Sequence, residues 1–429
     1  MLIFKLIPYT DFYPSAYSTY HFPFARFHNP IHQTFPVMYR LPLVFLAVLL
    51  SINGCQPTSP STPRTQHFLV IGVDGLSPDG IRKAATPNID RLMVTGASTL
   101  TARAVLPSSS SPNWASMIMG AGPEQHGITS NEWEIDDHEL APMTHTEGGR
   151  FPTIFTLLHE QKPEATTGAI YHWKGFGRLF YDAEVDYVAH GETEEETAKL
   201  AAAFLREQKP NYLFVHLDHV DGAGHHFGHG SPEYYASVSR ADSLIGQILH
   251  ALDESGMASQ TTILLTADHG GKHKGHGGES LAEMEIPFIL SGKGVKPGYS
   301  IAHAVSTVDN SPTAAWALGL EAPYAWTGRP VKTAFLGESA PANSALKPVL
   351  PRPSLVQSEE GDSLKLELYV SEAFIGYTLD GSEPTETSSH YEMPLTLKAG
   401  QILKAKAFRE GYAPSSTLII NPASISARE

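Results

Sequence analysis

One cysteine, Cys55, is all the chain has among 429 residues, so no internal disulfide can form and the fold has to rest on a packed core. Basic residues are scarce: 30 Lys and Arg stand against 45 Asp and Glu, a formal net charge of −15. That balance excludes nucleic acid as a constitutive partner, because a phosphate backbone needs basic patches, although a single nucleotide stays open as a substrate. There is no long acidic run either. The apolar run within Met38–Cys55 is too short to cross a bilayer. At 41% hydrophobic and 17% charged, the chain is long enough for a large core and two domains. Histidine, by contrast, is abundant at 21, and many of these fall between 216 and 276.

Met38–Cys55 has a short basic stretch, then an apolar stretch, then a small residue before the cysteine, the pattern of a secretory signal. Ending in Gly54-Cys55, it resembles a bacterial lipoprotein signal, in which Cys55 is lipidated and becomes the mature N-terminus. The expectation is attachment to the cell envelope, at the periplasmic or outer-membrane face; an ordinary signal or an anchor helix is the alternative. Residues 1–37, aromatic and Pro-rich without periodicity, are set aside from the fold as a start called too early. Residues 56–66, rich in Ser, Thr and Pro, read as a flexible tether.

From residue 67 the pattern is that of buried strands ending in polar loops. His67–Val73 is an apolar run that stops at Asp74-Gly75, Asn211–Leu217 another that stops before His219-Val-Asp221, and Thr261–Leu265 a third that stops before Asp268-His269. Open α/β sheets keep their sites at the carboxyl edge of the strands. Asp268, His269 and His276, within a glycine-rich stretch, are oxygen and imidazole donors of the kind a zinc-like ion takes. Asp74 is either a turn residue or a further ligand. Asp221 and His225 are four apart, so one helical turn sets both on one face. Thr86 and Pro87 predict a helix start with Thr86 as its cap. Pro112 predicts another helix, running through Met119, with Ser108 to Ser111 at its N-terminus. A serine there is either a cap in a polar linker or a nucleophile whose anionic substrate sits on free N–H groups. A long amphipathic helix is expected from Ser231 to Leu252, and an acidic one from about Glu194 to Arg206.

Six segments occur in the order and spacing of the alkaline phosphatase superfamily: Asp74-Gly75, Thr86–Leu92, Ser110-Ser-Pro-Asn113, Gly122–Ile128, the Asp221/Gly224/His225/Gly228 pattern, and Asp268-His269 with the later Gly275-His-Gly277. The chain resembles most the type I phosphodiesterase/nucleotide pyrophosphatase branch over about residues 66–336. The resemblance implies an alkaline phosphatase-like three-layer α/β sandwich with a mostly parallel sheet. It also implies a two-metal hydrolase, with Zn2+ as the expected ion and a phosphoseryl intermediate on Ser110. Asp74, Ser110, Asp268 and His269 would surround one metal, and Asp221, His225 and His276 the other, with His273 competing for the last position. Asn113 would contact the phosphoryl oxygens. The departures are Val220, where a Pro is usual, and Ser110, where this branch usually has Thr. A diester or pyrophosphate, including a nucleotide, is favoured over a monoester because no Arg accompanies Ser110; Trp114 stands where a sulfatase would need that Arg. A phosphomonoesterase is the alternative within enzymes, and a non-catalytic glycan-binding surface lipoprotein the alternative outside them.

Residues 337–352 read as a linker. Residues 353–425 alternate as strands at Leu364–Val370, Ile375–Leu379 and Ile402–Phe408, with a turn at Asp380-Gly381, which predicts a small antiparallel, Ig-like sandwich. Tyr377–Pro384 together with Lys404–Phe408 and Gly411-Tyr412 resembles the chitobiase C-terminal-like module, implying either a packing domain or a glycan contact.

Overall fold

The computed structural model describes residues 64–340, 346–357 and 363–421. The lipoprotein signal with Cys55, the segment 1–37, most of the tether and part of the linker lie outside the described residues. No described helix is long and apolar enough to cross a membrane.

One eight-stranded sheet organises the larger part of the chain. Its strands are β1 (His67–Val73), β2 (Ala97–Arg103), β3 (Thr167–Tyr171), β4 (Tyr187–His190), β5 (Tyr212–Leu217), β6 (Thr261–Thr266), β7 (Glu285–Gly292) and β8 (Tyr299–Ser300), in the order β4-β3-β5-β1-β6-β7-β2-β8. Every pairing is parallel except the two made by β7, which runs against both β6 and β2. Helices form two groups: Pro78–Lys83, Pro87–Thr95, Glu194–Gln208 and Pro232–Glu254 in one, Ser110–Met119, Ile154–Gln161 and Asn310–Leu318 in the other. The sheet lies between them, giving three layers. Covered on both faces, β5 and β6 are buried at every residue, which is why they read as unbroken apolar runs rather than alternating ones. With β5 and β6 on either side of β1 in parallel register, Val73 opposite Leu217 and Gly72 opposite Thr266, the loops after all three strands emerge side by side.

The helix start at Pro87 is where predicted, but its cap differs. Thr86 occupies the cap position without a side-chain capping bond. The backbone N–H groups of Asn88 and Ile89 donate instead to the Asp242 carboxylate, at 3.0 and 2.8 Å. A buried anion at a helix N-terminus satisfies two orphan donors and the dipole together, and it comes from 154 residues away, beyond any local pattern.

The C-terminal strands form two small antiparallel sheets. One holds Ser354–Gln357, Ser363–Glu367 and Leu395–Thr396; the other holds Phe374–Thr378, Ser389–His390, Leu403–Phe408 and Leu418–Ile420. Leu364 and Leu366 of the first share a core with Ile375, Leu403, Ala405 and Ile420 of the second. A separate patch joins this sandwich to the α/β part: Leu281 packs with Leu350, Val370, Ala407 and Tyr412. Beside it, buried Arg409 donates to both oxygens of Glu285 at 2.9 Å, and Tyr412 donates to the same carboxylate.

Candidate metal centre

Asp74 follows β1 and is 1% exposed. Two glycines allow its setting. A Cβ on Gly72 would lie 2.5 Å from the Trp114 ring, so glycine lets the indole pass beneath β1 and donate through Nε1 to Asp74 Oδ2 at 3.0 Å. Gly75 has φ +68°, and a Cβ there would lie 2.8 Å from Asp221 Cα. Glycine therefore admits both the left-handed turn and the close approach of the segment after β5.

Asp268 and His269 follow β6. His269 Nδ1 faces the Gly270 carbonyl at 2.8 Å and so must donate to it. Burial pushes its pKa down, so the ring is neutral and Nε2 carries a free lone pair. That nitrogen lies 3.1 Å from Asp268 Oδ2, 3.4 Å from Asp74 Oδ1 and 3.3 Å from Ser110 Oγ. Neither of those carboxylate oxygens has a hydrogen-bond partner among the described residues. Burial, followed by the neighbouring Asp268 and Asp221, raises the Asp74 pKa well above the ordinary carboxylate range. Burial, followed by Asp221, pushes Asp268 up to about 8. Two buried carboxylates and an imidazole lone pair converging without a positive partner are unfavourable by themselves, and a divalent cation among them offsets that cost.

Asp221 and His225 lie one turn apart on the His219–Phe227 helix, as the spacing predicts, with His225 Nε2 at 3.1 Å from Asp221 Oδ2. His276 Nε2 is 3.1 Å from His225 Nε2 and 3.8 Å from Asp221 Oδ1. Each ring turns its other nitrogen to a carbonyl, His225 to Lys274 and His276 to Ser108, both at 3.0 Å. Those backbone bonds aim both Nε2 atoms at the same point, the orientation that ligating histidines show. Burial alone would raise Asp221, but the His225 hydrogen bond and the surrounding histidines outweigh it and hold it down to about 2. The same hydrogen bond pushes His225 up to about 9. The two clusters touch: the His269 and His276 rings stack at 3.8 Å, and Asp221 lies within 4.8 Å of the ligand atoms of Asp74 and His269.

All seven residues expected to hold metal thus meet in two adjoining groups at the carboxyl edge of β1, β5 and β6. His273 does not join them; it has φ +55°, and its Nε2 lies 3.2 Å from the Tyr369 hydroxyl in the C-terminal sandwich. Ser110 is the first residue of the Ser110–Met119 helix and is 5% exposed. The role expected for Asn113 is corrected. Its Oδ1 accepts from Val105 N at 2.7 Å, and its Nδ2 faces the carbonyls of Val105, Pro107 and Ser109 at 3.0–3.3 Å, so the amide is spent on clamping the preceding loop. The amide at the helix mouth is Asn131, whose Oδ1 accepts from Ser111 N at 2.7 Å. Its Nδ2 makes no hydrogen bond among the described residues. The stretch around it lacks periodicity, so nothing local marked it. Behind the first group lies His216, fully buried with Nε2 3.4 Å from Asp74 Oδ2, and behind the second His229, 3.8 Å from Asp221 Oδ1.

The sequence model of the type I phosphodiesterase/nucleotide pyrophosphatase family matches residues 68–285, half of the chain and every residue of both groups. The chain belongs to that family. It is a family of metal-dependent hydrolases, within the alkaline phosphatase superfamily, and the two donor groups suit such chemistry. A bis(5'-adenosyl)-triphosphatase from Xenopus laevis is 21% identical over 237 residues, 52% of this chain and 51% of that protein. Human ectonucleotide pyrophosphatase/phosphodiesterase family member 1 is 25% identical over 234 residues, 51% of this chain and 25% of that protein. The chain therefore spans about half or less of the length of these relatives. Among solved structures, an inactive variant of murine ectonucleotide pyrophosphatase/phosphodiesterase 5 in complex with AMP superposes with TM-score 0.52 at 17% identity, over 60% of this chain and 96% of that one. A 2-O GAG sulfatase reaches TM-score 0.53 at 15% identity over 83% of each chain, which extends the likeness of fold. Residues 364–419 of the sandwich match the Fn3 associated model.

Proposed function

We propose that this family member hydrolyses phosphodiester or nucleotide pyrophosphate bonds, with Ser110 as the nucleophile. The observation that carries the reading is the convergence on His269 Nε2 of Ser110 Oγ, Asp74 and Asp268 within 3.1–3.4 Å, at the start of a helix. Asp74, Ser110, Asp268 and His269 would hold one divalent ion and Asp221, His225 and His276 the other, with Zn2+ matching the nitrogen and oxygen donors. When bound, such ions supply Lewis acidity and neutralise charge developing at phosphorus.

The chain's own residues do the rest. Ser110 Oγ gives up its proton to solvent and forms a bond to phosphorus while the opposite ester or anhydride oxygen departs as the alcohol or phosphate; water then cleaves the Oγ–P bond of the phosphoseryl group, and Ser110 regains its proton. At the start of the Ser110–Met119 helix Ser111 N is given to Asn131, Pro112 has no N–H and Asn113 N donates to Ser109 O, which leaves Ser110 N and the helix dipole to favour the developing anion. Asn131, held by Ser111 N, has its Nδ2 placed to donate to a non-bridging oxygen. Trp114 fixes the Asp74 carboxylate from below.

A singly charged phosphodiester is favoured over a doubly charged monoester because the donors at the helix mouth are neutral. Arg178 is committed elsewhere, to the carbonyls of Trp133 and Asn131 and to the Glu134 carboxylate. AMP on the murine relative supports a nucleotide as the substrate class.

The test compares bis-p-nitrophenyl phosphate with p-nitrophenyl phosphate on the Zn2+-loaded chain, with Ser110→Ala and a chelator as controls. Faster diester cleavage, abolished by both controls, is expected. Faster monoester cleavage would transfer the protein to the phosphatases, and activity that survives Ser110→Ala would remove the nucleophile assignment.

A further inference from the structure

Three residues before Asp221, the chain carries another carboxylate, Asp218, that the proposed reaction does not use. It faces His172, which follows β3, and Glu194, the first residue of the Glu194–Gln208 helix. His172 Nδ1 lies 3.6 Å from Asp218 Oδ2 and 3.6 Å from Glu194 Oε1. One ligand atom from each of the three lies within 4.8 Å of the others. A second imidazole borders the group: His219 Nδ1 is 3.8 Å from Glu194 Oε1. The His219 side chain is only 7% exposed, and neither of its ring nitrogens has a hydrogen-bond partner among the described residues. His172 Nδ1 is likewise buried and without one. Buried imidazole nitrogens aimed at carboxylates with no hydrogen bond made are costly to fold around. The neighbouring guanidinium does not relieve them. Arg240 Nη2 sits 2.5 Å from Glu195 Oε1 and 3.6 Å from Glu194 Oε2, which leaves Glu194 Oε1 to the two histidines.

We propose that His172, Glu194 and Asp218, with His219 as a further donor, form a third divalent-cation site beside the catalytic pair. Three donors come from three elements, the ends of β3 and β5 and the start of a helix, so an ion here would lock those elements together. Mixed imidazole and carboxylate donors suit Zn2+ or Mn2+ better than Ca2+ or Mg2+. The functional consequence is positional. Asp218 directly precedes the helix that presents Asp221 and His225, so holding Asp218 sets where that helix begins. The site stands independently of the proposed reaction, since no residue in it is assigned to bond making or breaking.

The test is anomalous diffraction from crystals of the full chain grown with Mn2+ or Zn2+, paired with the metal content of the purified protein. A peak bounded by His172, Glu194 and Asp218 is expected in addition to those at the Asp74 and Asp221 groups. Glu194→Gln should remove that peak and one metal equivalent per chain, leaving the others in place. Absence of a peak between these residues overturns the proposal, because the cluster is then a plain ion-pair network with protonated histidine. A peak or metal equivalent that survives both Glu194→Gln and His172→Ala overturns it equally. Loss of peaks at the Asp74 and Asp221 groups alone would count against the two-metal reading and leave this site supported.

Discussion

Asp268→Asn separates stability from function at the candidate metal centre. Asp268 is fully buried and its pKa is pushed from the ordinary 3.8 to about 8 in the metal-free chain, first by burial and then by Asp221. Between those two values the unfolded carboxyl is ionised while the folded one is not. The folded state then binds the extra proton, so stability falls as pH rises, by about 1.4 kcal/mol per pH unit. By pH 7.5 the loss is on the order of 5 kcal/mol, and it is absent below about pH 4. Asparagine keeps the shape: its Oδ1 can still accept from Gly75 N, now at 3.1 Å, and its Nδ2 would face the His269 Nε2 lone pair at the 3.1 Å position of Oδ2. The expected outcome is a metal-free variant several kcal/mol more stable than wild type at pH 7.5 and nearly equal to it at pH 4.5. With Zn2+ the gap should close to within about 1 kcal/mol, because ligand at a thousand times its dissociation constant stabilises wild type by about 4 kcal/mol. Urea unfolding in chelator at pH 4.5, 6 and 7.5, repeated with Zn2+, measures all of this. A metal-free variant no more stable than wild type at pH 7.5 would refute the account of a carboxylate cage strained by its own charge.

Zn2+ uptake at pH 7 should release protons from Asp268, held at about 8, and from His225, held at about 9, with Asp74, whose carboxyl is also raised by burial, adding to them. Calorimetry in buffers of different ionisation enthalpy reads the number, which should fall as pH rises through 8 and then 9. Asn131→Ala should lower kcat/KM about 10- to 100-fold, as expected for loss of a hydrogen bond to a charged oxygen, and should also cost about 1–3 kcal/mol of stability because Ser111 N–H loses its acceptor. Asn113→Ala should show a similar stability cost, because Val105 N–H loses its partner, with a much smaller effect on kcat/KM. Arg409→Ala should destabilise the contact between the sandwich and β7 by about 3–5 kcal/mol, since Glu285 is left charged and buried, whereas Arg409→Met with Glu285→Gln should cost clearly less. Urea unfolding of the single and double variants distinguishes the two, and equal costs would contradict the buried ion pair.

Much of the fold was legible because central parallel strands impose a simple pattern. β1, β5 and β6 are covered on both faces, so each is a short apolar run bounded by a polar loop, and the long amphipathic helix now seen at Pro232–Glu254 showed its own period. The candidate metal-holding residues were legible through the family resemblance, and Asp74, Asp221 and the Asp268-His269 pair each follow a strand end closely, where chain position and spatial position coincide. Asn131 and Asp242 were not legible. Each acts on a helix N-terminus far from its own stretch of chain, Asn131 on Ser111 and Asp242 on Ile89. Asn113 misled because a motif position says which residue is present and not which way its amide is bonded; here four short backbone contacts claim it.

What the sequence by itself determined is the set of candidate donors, through its resemblance to the phosphodiesterase family, and the strand ends at which they gather, because strand periodicity and loop chemistry are local. What only the tertiary structure decided is how those donors are partitioned and aimed. His276 rather than His273 meets Asp221 because the loop turns through a positive φ at His273 and sends that ring to Tyr369 of the sandwich. His269 offers Nε2 because Gly270 takes its other nitrogen. His172, Glu194 and Asp218, distant along the chain, meet only because β3 and β5 are neighbours and a helix starts beside them. Direction and neighbourhood of this kind arise from contacts across the chain, which no stretch of sequence carries alone.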